Sequence, residues 1–352
     1  MSALREDEHP EQIQQPKQPS RTGAIDWKRL IPGVLISLAA VVIILLIVDP
    51  KKVMVELGRA DLRWITASVL SSILWLVARA FFWRTLLQDK ASLRSVFFTV
   101  NEGYLLNYIL PFRLGEIGRA VLLSRKSEIK FWQIIPTIII ERILDLGMAM
   151  VIFIGSISFV VKGDSSLTVA ILMALAVTVG LLVLFLMARQ PQFVRSLIQR
   201  LTGRIPRLKT LVDSQLNVFL EGLAILADGR LFLAAVGWLL VNWSISILQV
   251  TFLLHAFFPD AQVLWSFFIL GCVALGNAAP STPGAIGVVE GAITGALAFF
   301  KVDPNTALAY ALATRLFSYL TSGVLGGFAL SQEKIGLGAL FASLYRRSKG
   351  EE

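Results

Sequence analysis

The apolar residues of this chain fall into long continuous blocks, and this feature limits its fold more than any other. Hydrophobic residues make up 55% of the 352 positions and charged residues only 16%, whereas a water-soluble domain carries about 25% charged residues. A transmembrane helix needs about 20 consecutive apolar residues. The sequence therefore predicts an all-α polytopic membrane protein. It excludes a soluble enzyme, a disordered protein and a secreted disulfide scaffold.

Six apolar blocks are long enough to cross a bilayer as full spans. They occupy residues 30–48, 62–87, 131–161, 167–188, 231–257 and 304–330. The first block has the length of a signal peptide, but no small-residue cleavage site follows it, so we expect an uncleaved span. Two further apolar segments, 95–125 and 262–300, are interrupted by proline and glycine. Each is predicted to form a re-entrant hairpin of two half-helices.

Polar segments divide the rest of the chain. Residues 1–29 are rich in Gln, Pro and charge and are predicted to form a disordered tail. Residues 30–330 are predicted to form one membrane domain, and 331–352 a basic tail. Within the domain, the basic loop 189–230 contains the amphipathic stretch 211–226, which we expect to lie on the inner leaflet, as we do for 192–201.

Loop charge predicts the orientation. Arginine and lysine concentrate in cytoplasmic loops, so the loop 189–230 and both termini are expected to be cytoplasmic. The loop 49–63 is also basic, with Lys51, Lys52, Arg59 and Arg63. It must nevertheless lie outside, and it is the one loop that disagrees with the rule.

The two hairpin tips resemble each other. Both contain Pro-x-x-x-Gly-x-Ile-Gly shortly after an asparagine, Asn107 or Asn277, and each hairpin precedes a span with a central arginine, Arg142 or Arg315. The predicted hairpin breaks are Pro111, Gly115, Gly118, Pro280, Pro283, Gly284 and Gly287. The pattern indicates an inverted repeat of units 62–161 and 231–330, a plan used by many secondary transporters. Coincidence is the alternative, because Pro and Gly are frequent in membrane helices.

A helix break inside a membrane has a chemical consequence. It frees backbone N–H and C=O groups, which are tolerated only where protein or a water-filled cavity satisfies them. The half-helix that follows a break also directs its partly positive N-terminus towards the middle of the bilayer, where it suits a phosphate. Two hairpins entering from opposite faces would direct two such ends at one region.

Charged residues near these breaks are the candidate substrate-binding residues. They are Asn107, Arg113, Glu116, Arg119, Glu141, Arg142, Asp145, Asn277, Glu290 and Arg315. In one interpretation they line a polar cavity, where arginines grip an anion and a carboxylate carries a proton. In the other they pair with one another and only fix helix packing. Arg79 and Arg84 are predicted to snorkel towards the cytoplasm. With one cysteine and two histidines, no metal site and no cofactor are expected.

Three motifs together resemble a known family. They are NYILPFRLGEIGR from Asn107, ERILD from Glu141 and PSTPGAIGVVE from Pro280, followed by Arg315. Over about residues 30–330 the chain resembles the flippase-like family that includes the transmembrane region of lysylphosphatidylglycerol synthases. The resemblance implies a lipid-handling domain in a bacterial or archaeal plasma membrane. The residues that match the family pattern are Arg113, Glu116, Arg119, Glu141, Arg142 and Asp145. Only about twenty residues follow the last span, so aminoacylation is not expected.

The first functional hypothesis is therefore a lipid translocase. It would move an anionic phospholipid or a polyprenyl-phosphate-linked lipid between leaflets, without catalysis, through a cavity at the repeat interface. No phosphate-binding GxxxxGK[ST] loop is present, so the translocase would be a facilitator or be driven by protons. The alternatives are a scaffold or accessory subunit for a separate transferase, and a membrane lipid transferase. Nucleic acid is not an expected partner, since the positive charge is explained by cytoplasmic loops.

Overall fold

The computed structural model describes residues 49–110, 113–160, 221–278 and 283–332, with scattered positions between 175 and 220. In these ranges the regular structure is helical, with short 3₁₀ turns at Leu223–Leu226 and Pro283–Ala285. The α-helices of the described ranges are α1 Pro50–Arg59, α2 Leu62–Leu86, α3 Leu93–Ile109, α4 Gly115–Lys126, α5 Phe131–Val160, α6 Gly229–Phe257, α7 Val263–Ala278, α8 Val288–Phe299 and α9 Pro304–Gln332.

The long helices occupy the predicted apolar blocks. Helices α2, α5, α6 and α9 lie where four of the full spans are predicted, with ends that differ by at most a few residues. Each broken segment contains two helices, α3 with α4 and α7 with α8. Helices α2 and α6, with mean hydropathies of 1.7 and 2.0, are long and apolar enough to cross a bilayer. The predicted span 30–48, most of 167–188 and both tails lie outside the described residues.

The segment predicted as the loop 49–63 contains a helix, so that prediction is wrong for residues 50–59. The Asp49 side chain caps α1 by accepting a hydrogen bond from the Lys51 N–H at 2.9 Å, and Pro50 occupies the first helical position. Val53 is buried in the core beside the second hairpin. The helix is only ten residues long and strongly charged, so a search for apolar blocks passes over it.

Helices α2 and α6 pack along each other and run antiparallel. The Asp61 N–H, just before α2, donates to the Ala256 carbonyl near the end of α6 at 3.0 Å. Further along, the Asn242 side chain donates to the Trp75 carbonyl at 3.0 Å. The residue numbers rise on one helix as they fall on the other. If both helices cross a membrane, they therefore begin on opposite faces.

The two hairpins exchange partners between the halves of the chain. Helix α3 packs antiparallel against α9, where Asn101 meets Gly326. Helix α7 packs antiparallel against α5, where the rings of Phe153 and Phe268 stack at 5.9 Å. The first helix of each hairpin thus lies against the last long helix of the other half. Neither half buries its own apolar faces alone.

The described end of the loop 189–230 packs into the helical core. Leu216, Leu220 and Leu223 are buried in the cluster that also contains Ile134 of α5. Gly222 lies so close to the start of α5 that a Cβ there would be 2.5 Å from the Gln133 carbonyl oxygen. The apolar side chains at this end of the stretch 211–226 therefore pack against protein, because α5 offers a matching apolar face.

Candidate functional site

The first group of charges centres on Glu141, whose side chain is fully buried in α5. The two terminal nitrogens of Arg119 each donate to one Glu141 oxygen at 2.9 Å, which is bidentate pairing. Arg79 Nη2 donates to Glu141 Oε1 at 2.7 Å, and Arg142 Nη2 donates to the same oxygen at 3.3 Å. Three guanidinium groups from α2, α4 and α5 surround this carboxylate. We refer to Arg79, Glu116, Arg119, Glu141, Arg142 and Asp145 as the Glu141 cluster.

Arg79 belongs to this cluster, so its prediction as a snorkelling residue is wrong. It is only 2% exposed. Its guanidinium also pairs with both oxygens of Asp145, with Nη1 at 2.9 Å from Oδ1. At 1.5 Å per residue, Arg79 lies about 10 Å from the end of α2 at Leu86. That depth is the sequence signal that could have identified it.

Arg142 forms the more open edge of the cluster. Its side chain is 33% exposed, compared with 1% for Arg119. Its Nε lies 3.0 Å from Glu116 Oε1, an ion pair whose angles fall short of a hydrogen bond. Its Nη1 lies 3.9 Å from Asp145 Oδ2. Arg142 therefore links α5 to the second helix of the first hairpin and still reaches the surface.

Aromatic side chains enclose the buried arginines. The Arg119 guanidinium lies 3.9 Å from the centre of the Trp83 ring, a cation–π contact. The Trp83 indole N–H donates to Thr137 Oγ1 at 3.2 Å. The Trp243 indole N–H of α6 donates to Asp145 Oδ1 at 3.3 Å. These two tryptophans are therefore part of the cluster's lining.

The break in the first hairpin lies next to the cluster. The Asn107 side chain accepts a hydrogen bond from the Gly115 N–H at 2.9 Å and so joins the end of α3 to the start of α4. A Cβ at Gly115 would overlap both this oxygen and the Gly103 carbonyl. Arg113 has a φ of 54°, in the left-handed region. Asn107 and Gly115 together hold the two half-helices in contact.

The second group of charges closes the break in the second hairpin. Arg315 of α9 donates to the carbonyls of Gly284 at 2.6 Å and Ala285 at 3.1 Å, and to the Tyr319 hydroxyl at 2.8 Å. It also pairs with Glu290, with Nη2 at 2.8 Å from Oε2. The backbone is left-handed at Gly284, Ala285 and Gly287. We refer to Gly284, Ala285, Glu290, Arg315 and Tyr319 as the Arg315 cluster. Arg315 supplies hydrogen-bond donors to carbonyls that lack an intrahelical partner at the break.

The two hairpins meet next to the Arg315 cluster. The Tyr108 and Tyr319 rings lie 4.2 Å apart, and the Tyr108 hydroxyl donates to the Ser318 carbonyl at 3.3 Å. A Cβ at Gly284 would lie 3.6 Å from the Tyr108 carbonyl oxygen and would overlap the Tyr319 hydroxyl. The last turn of α3 therefore contacts the tip of the second hairpin.

Most of the predicted site residues come together. Five of them lie in the Glu141 cluster and two in the Arg315 cluster, while Arg113 is exposed beside the first. Asn277 lies partly buried near the end of α7, and Pro111 and Pro280 lie outside the described residues. The residues that sequence reasoning missed are Arg79, Trp83, Asn242, Trp243, Glu102 and Lys126.

Glu102 and Lys126 form a further buried pair in the first hairpin. Lys126 Nζ lies 2.8 and 2.7 Å from the two Glu102 oxygens, and the Glu102 side chain is fully buried. A carboxylate within an apolar stretch needs a compensating partner. The presence of Glu102 within the apolar segment 95–125 is the sequence signal that could have identified this pair. The pair ties α3 to the far end of α4.

The Glu141 cluster combines buried ion pairs between helices with a small exposed edge. A buried carboxylate is stable when guanidinium groups and hydrogen bonds compensate its lost hydration, and Glu141 meets this requirement. Arg142 and Arg113 are the cations of this region with substantial exposure. A cavity of about 280 Å³ lies elsewhere, at the α6–α7 turn, lined by Val160, Asp260, Gln262, Leu264, Trp265, Phe299 and Phe300.

Comparisons with known proteins agree on one group. The family profile described as the lysylphosphatidylglycerol synthase TM region matches residues 30–326. The glycosyltransferase AglD of Haloferax volcanii is 24% identical, over 80% of this chain and 51% of that protein. A UPF0104 membrane protein of Methanocaldococcus jannaschii is 27% identical, over 63% of this chain and 91% of the relative.

A second UPF0104 membrane protein, from Methanothermobacter thermautotrophicus, is 23% identical over 84% of this chain and 93% of its own length. This chain therefore spans nearly the whole of these two relatives but only about half of the glycosyltransferase. No solved structure matches the chain.

Proposed function

Because the chain belongs to the lysylphosphatidylglycerol synthase transmembrane-region family, we propose that it translocates an anionic lipid between the leaflets of the plasma membrane. The family and the UPF0104 relatives make it a membrane protein. The lipid would be a phospholipid or a polyprenyl-phosphate-linked lipid. Its headgroup would move along polar residues between the two halves while its tails stay in the bilayer. The proposal includes no catalytic step.

The proposal needs an arrangement that can open to either face. We propose six full spans and two re-entrant hairpins in an inverted repeat, with both termini in the cytoplasm. The antiparallel packing of α2 and α6 supports it, because the corresponding first helices of the two units then begin on opposite faces. The exchanged packing of α3 with α9 and of α7 with α5 supports it as well, since each contact is the counterpart of the other.

The observation that carries the proposal is the Glu141 cluster inside apolar helices. Glu141 lies about 15 Å from the start of α5, close to the middle of a bilayer. Charged residues at that depth are costly and mark transport pathways in many membrane proteins. In both units an arginine of the closing long helix pairs with a glutamate of the hairpin's second helix, Arg142 with Glu116 and Arg315 with Glu290.

Exposure separates the roles of these residues. Arg119 and Glu141 are fully buried and would hold the helices in register. Arg142 and Glu116 are partly exposed, so a phosphate could compete with Glu116 for the Arg142 guanidinium. Glu141 is a poor proton carrier, because three guanidinium groups stabilise its ionised form. If transport is coupled to protons, the carrier is therefore a carboxylate other than Glu141, and without such a carrier transport is passive.

A second candidate function is a membrane partner for a glycosyltransferase. The observation that favours it is the relative named as a glycosyltransferase, of which this chain matches about half. In this function the membrane domain would present a lipid-linked substrate to a separate transferase. It would require lipid binding at the Glu141 cluster but not exchange between leaflets.

A liposome assay distinguishes the two functions. Purified protein is reconstituted with fluorescent phosphatidylglycerol, phosphatidylcholine or polyprenyl phosphate, and leaflet exchange is followed by quenching from outside. We expect the wild type to accelerate one anionic class and Arg142→Ala to slow that exchange about tenfold, the effect of a contact worth about 1.4 kcal/mol. Arg84→Ala is the control, since Arg84 is a partly exposed arginine near the end of α2 that pairs with Asp89 and lies outside the Glu141 cluster.

Folding of each variant is checked by gel filtration before reconstitution. Unchanged exchange in Arg142→Ala would remove the Glu141 cluster from the pathway. No exchange of any lipid by the folded wild type would reject translocation and favour the transferase-partner function.

A further inference from the structure

The charges around the first hairpin break do not balance. Four arginines, Arg79, Arg119, Arg142 and the neighbouring Arg113, face three carboxylates, those of Glu116, Glu141 and Asp145. By contrast, Arg315 at the second break pairs with one carboxylate, that of Glu290. Among the residues that the structure describes, the first break therefore carries one surplus positive charge.

Arg113 carries that surplus. It is exposed, and it lies three residues before Glu116, whose carboxylate is 3.0 Å from Arg142 Nε. Among the residues that the structure describes, no carboxylate lies within ion-pair distance of Arg113, whereas the other three arginines of this region each have at least one. The left-handed backbone at Arg113 fixes this side chain at the tip of the hairpin.

Arg142 is the neighbour that would share a ligand with Arg113. Its side chain is one-third exposed, and its closest partner, Glu116, is itself partly exposed. Two guanidinium groups that repel each other are drawn together by an anion that accepts from both. Guanidinium groups bind phosphate oxygens in a bidentate geometry, which suits this pair better than two ammonium groups would.

We propose that Arg113 and Arg142 form the headgroup site of the translocated lipid, and that this site prefers a phosphate with a single negative charge, a phosphodiester. The inference rests on the proposed function and narrows its substrate class. One negative charge neutralises the surplus. A phosphomonoester, which carries nearly two charges at neutral or higher pH, leaves an uncompensated charge among helices where charge is costly.

Binding is tested apart from transport. Purified protein in an uncharged detergent is titrated at about pH 8, where a monoester is almost fully ionised, and lipid adducts are counted by native mass spectrometry. The probes are phosphatidylglycerol, phosphatidic acid and diacylglycerol with identical acyl chains. We expect phosphatidylglycerol to bind more tightly than the other two, and Arg113→Ala to weaken its binding about tenfold, as for the loss of one charge-assisted contact.

Two variants and one competitor sharpen the result. Arg94→Ala removes an exposed arginine at the other end of α3 and should leave binding unchanged. Arg113→Lys keeps the charge and should retain part of the affinity. Excess glycerophosphoglycerol, the same headgroup without tails, should compete weakly if the site takes a lipid and fully if it takes a free phosphodiester.

Equal loss of binding in Arg113→Ala and Arg94→Ala would overturn the proposal, and so would tighter binding of phosphatidic acid than of phosphatidylglycerol. Full competition by glycerophosphoglycerol would overturn the lipid as the ligand. These outcomes differ from a failure of the proposed function. If phosphatidylglycerol binds as expected but no liposome exchange occurs, the headgroup site is supported and translocation is rejected.

Discussion

Individual side chains in this protein have different exposures within one network, and exposure indicates what each can do. Glu141 accepts from three arginines and is sealed from the surface, whereas Arg142 and Arg113 reach it. A buried ion pair is weak evidence of stability by itself, but removing one partner leaves an uncompensated charge. The buried members are therefore expected to determine folding, and the exposed members ligand binding.

Arg79→Ala should destabilise the fold strongly. It leaves Asp145 and Glu141 without a partner that they share at distances of 2.9 and 2.7 Å, and breaking a buried pair costs about 3–5 kcal/mol. Thermal unfolding in detergent, followed by circular dichroism, measures the effect. The matched control is Arg84→Ala on the same helix, whose surface pair with Asp89 is worth at most about 1 kcal/mol. Equal melting temperatures for the two variants would contradict this assignment.

Whole helices are positioned by small residues at their crossings. Gly326 of α9 lies against the Asn101 backbone of α3, and Gly115 of α4 lies against the Gly103 carbonyl of α3. Small residues let helix backbones approach closely in membranes, where lipid tails remove the hydrophobic driving force between helices. The polar breaks of the hairpins are therefore held by contacts that leave no room for side chains.

Gly326→Ala should loosen the contact between α3 and α9. Its Cβ would lie 2.5 Å from the Asn101 carbonyl oxygen and 3.0 Å from Leu105 Cβ, so the helices must separate, at a cost of about 1–3 kcal/mol. Gly323→Ala is the control, because a Cβ there meets nothing within 4 Å. In that variant the higher helix propensity of alanine should leave the melting temperature equal or raised. A lowered melting temperature in both variants would show that the α3–α9 crossing is not the cause of the destabilisation.

At the scale of the whole molecule, the two halves are interlocked and their first helices run in opposite directions. The contact between Tyr108 and Tyr319 brings the first hairpin to the tip of the second. Movement of one hairpin is therefore expected to disturb the other. This coupling is what an alternating-access protein built from inverted repeats requires.

Cysteine labelling tests the inverted repeat. Cys272, the single cysteine, is replaced by serine, and one cysteine is introduced at Val55, Asp260 or Arg230, all exposed. Val55 lies in α1, the helix that precedes α2, and Arg230 lies at the start of α6. A membrane-impermeant maleimide added to intact cells should therefore label Val55→Cys and not Arg230→Cys. Asp260 lies at the same end as Val55 and is the same-side control. Labelling of Val55→Cys and Arg230→Cys from one face would exclude the inverted arrangement.

The positions of the long helices could be predicted from the sequence, because apolar run length acts locally. Of the predicted break residues, Gly284 and Gly287 lie between α7 and α8, whereas Gly115 begins α4 and Gly118 lies inside it. The sequence could not show whether the charged residues line a polar cavity or pair with one another. Arg79 and Glu141 are 62 residues apart, and Arg315 reaches carbonyls 30 and 31 residues away. Local patterns do not encode such distances. For this reason Arg79 is predicted from the sequence to snorkel, whereas in the structure it is buried.

The sequence by itself determined that this is a helical membrane protein, and which residue types stand near the interruptions of its apolar segments. Only the tertiary structure decided that Arg119 and Arg79 are sealed against Glu141, while Arg113 stays exposed with no carboxylate partner in the described part of the chain. The physical reason is that helix formation depends on neighbours in the chain. The compensation of a buried charge depends on whichever side chains the packed helices bring within about 3 Å of it.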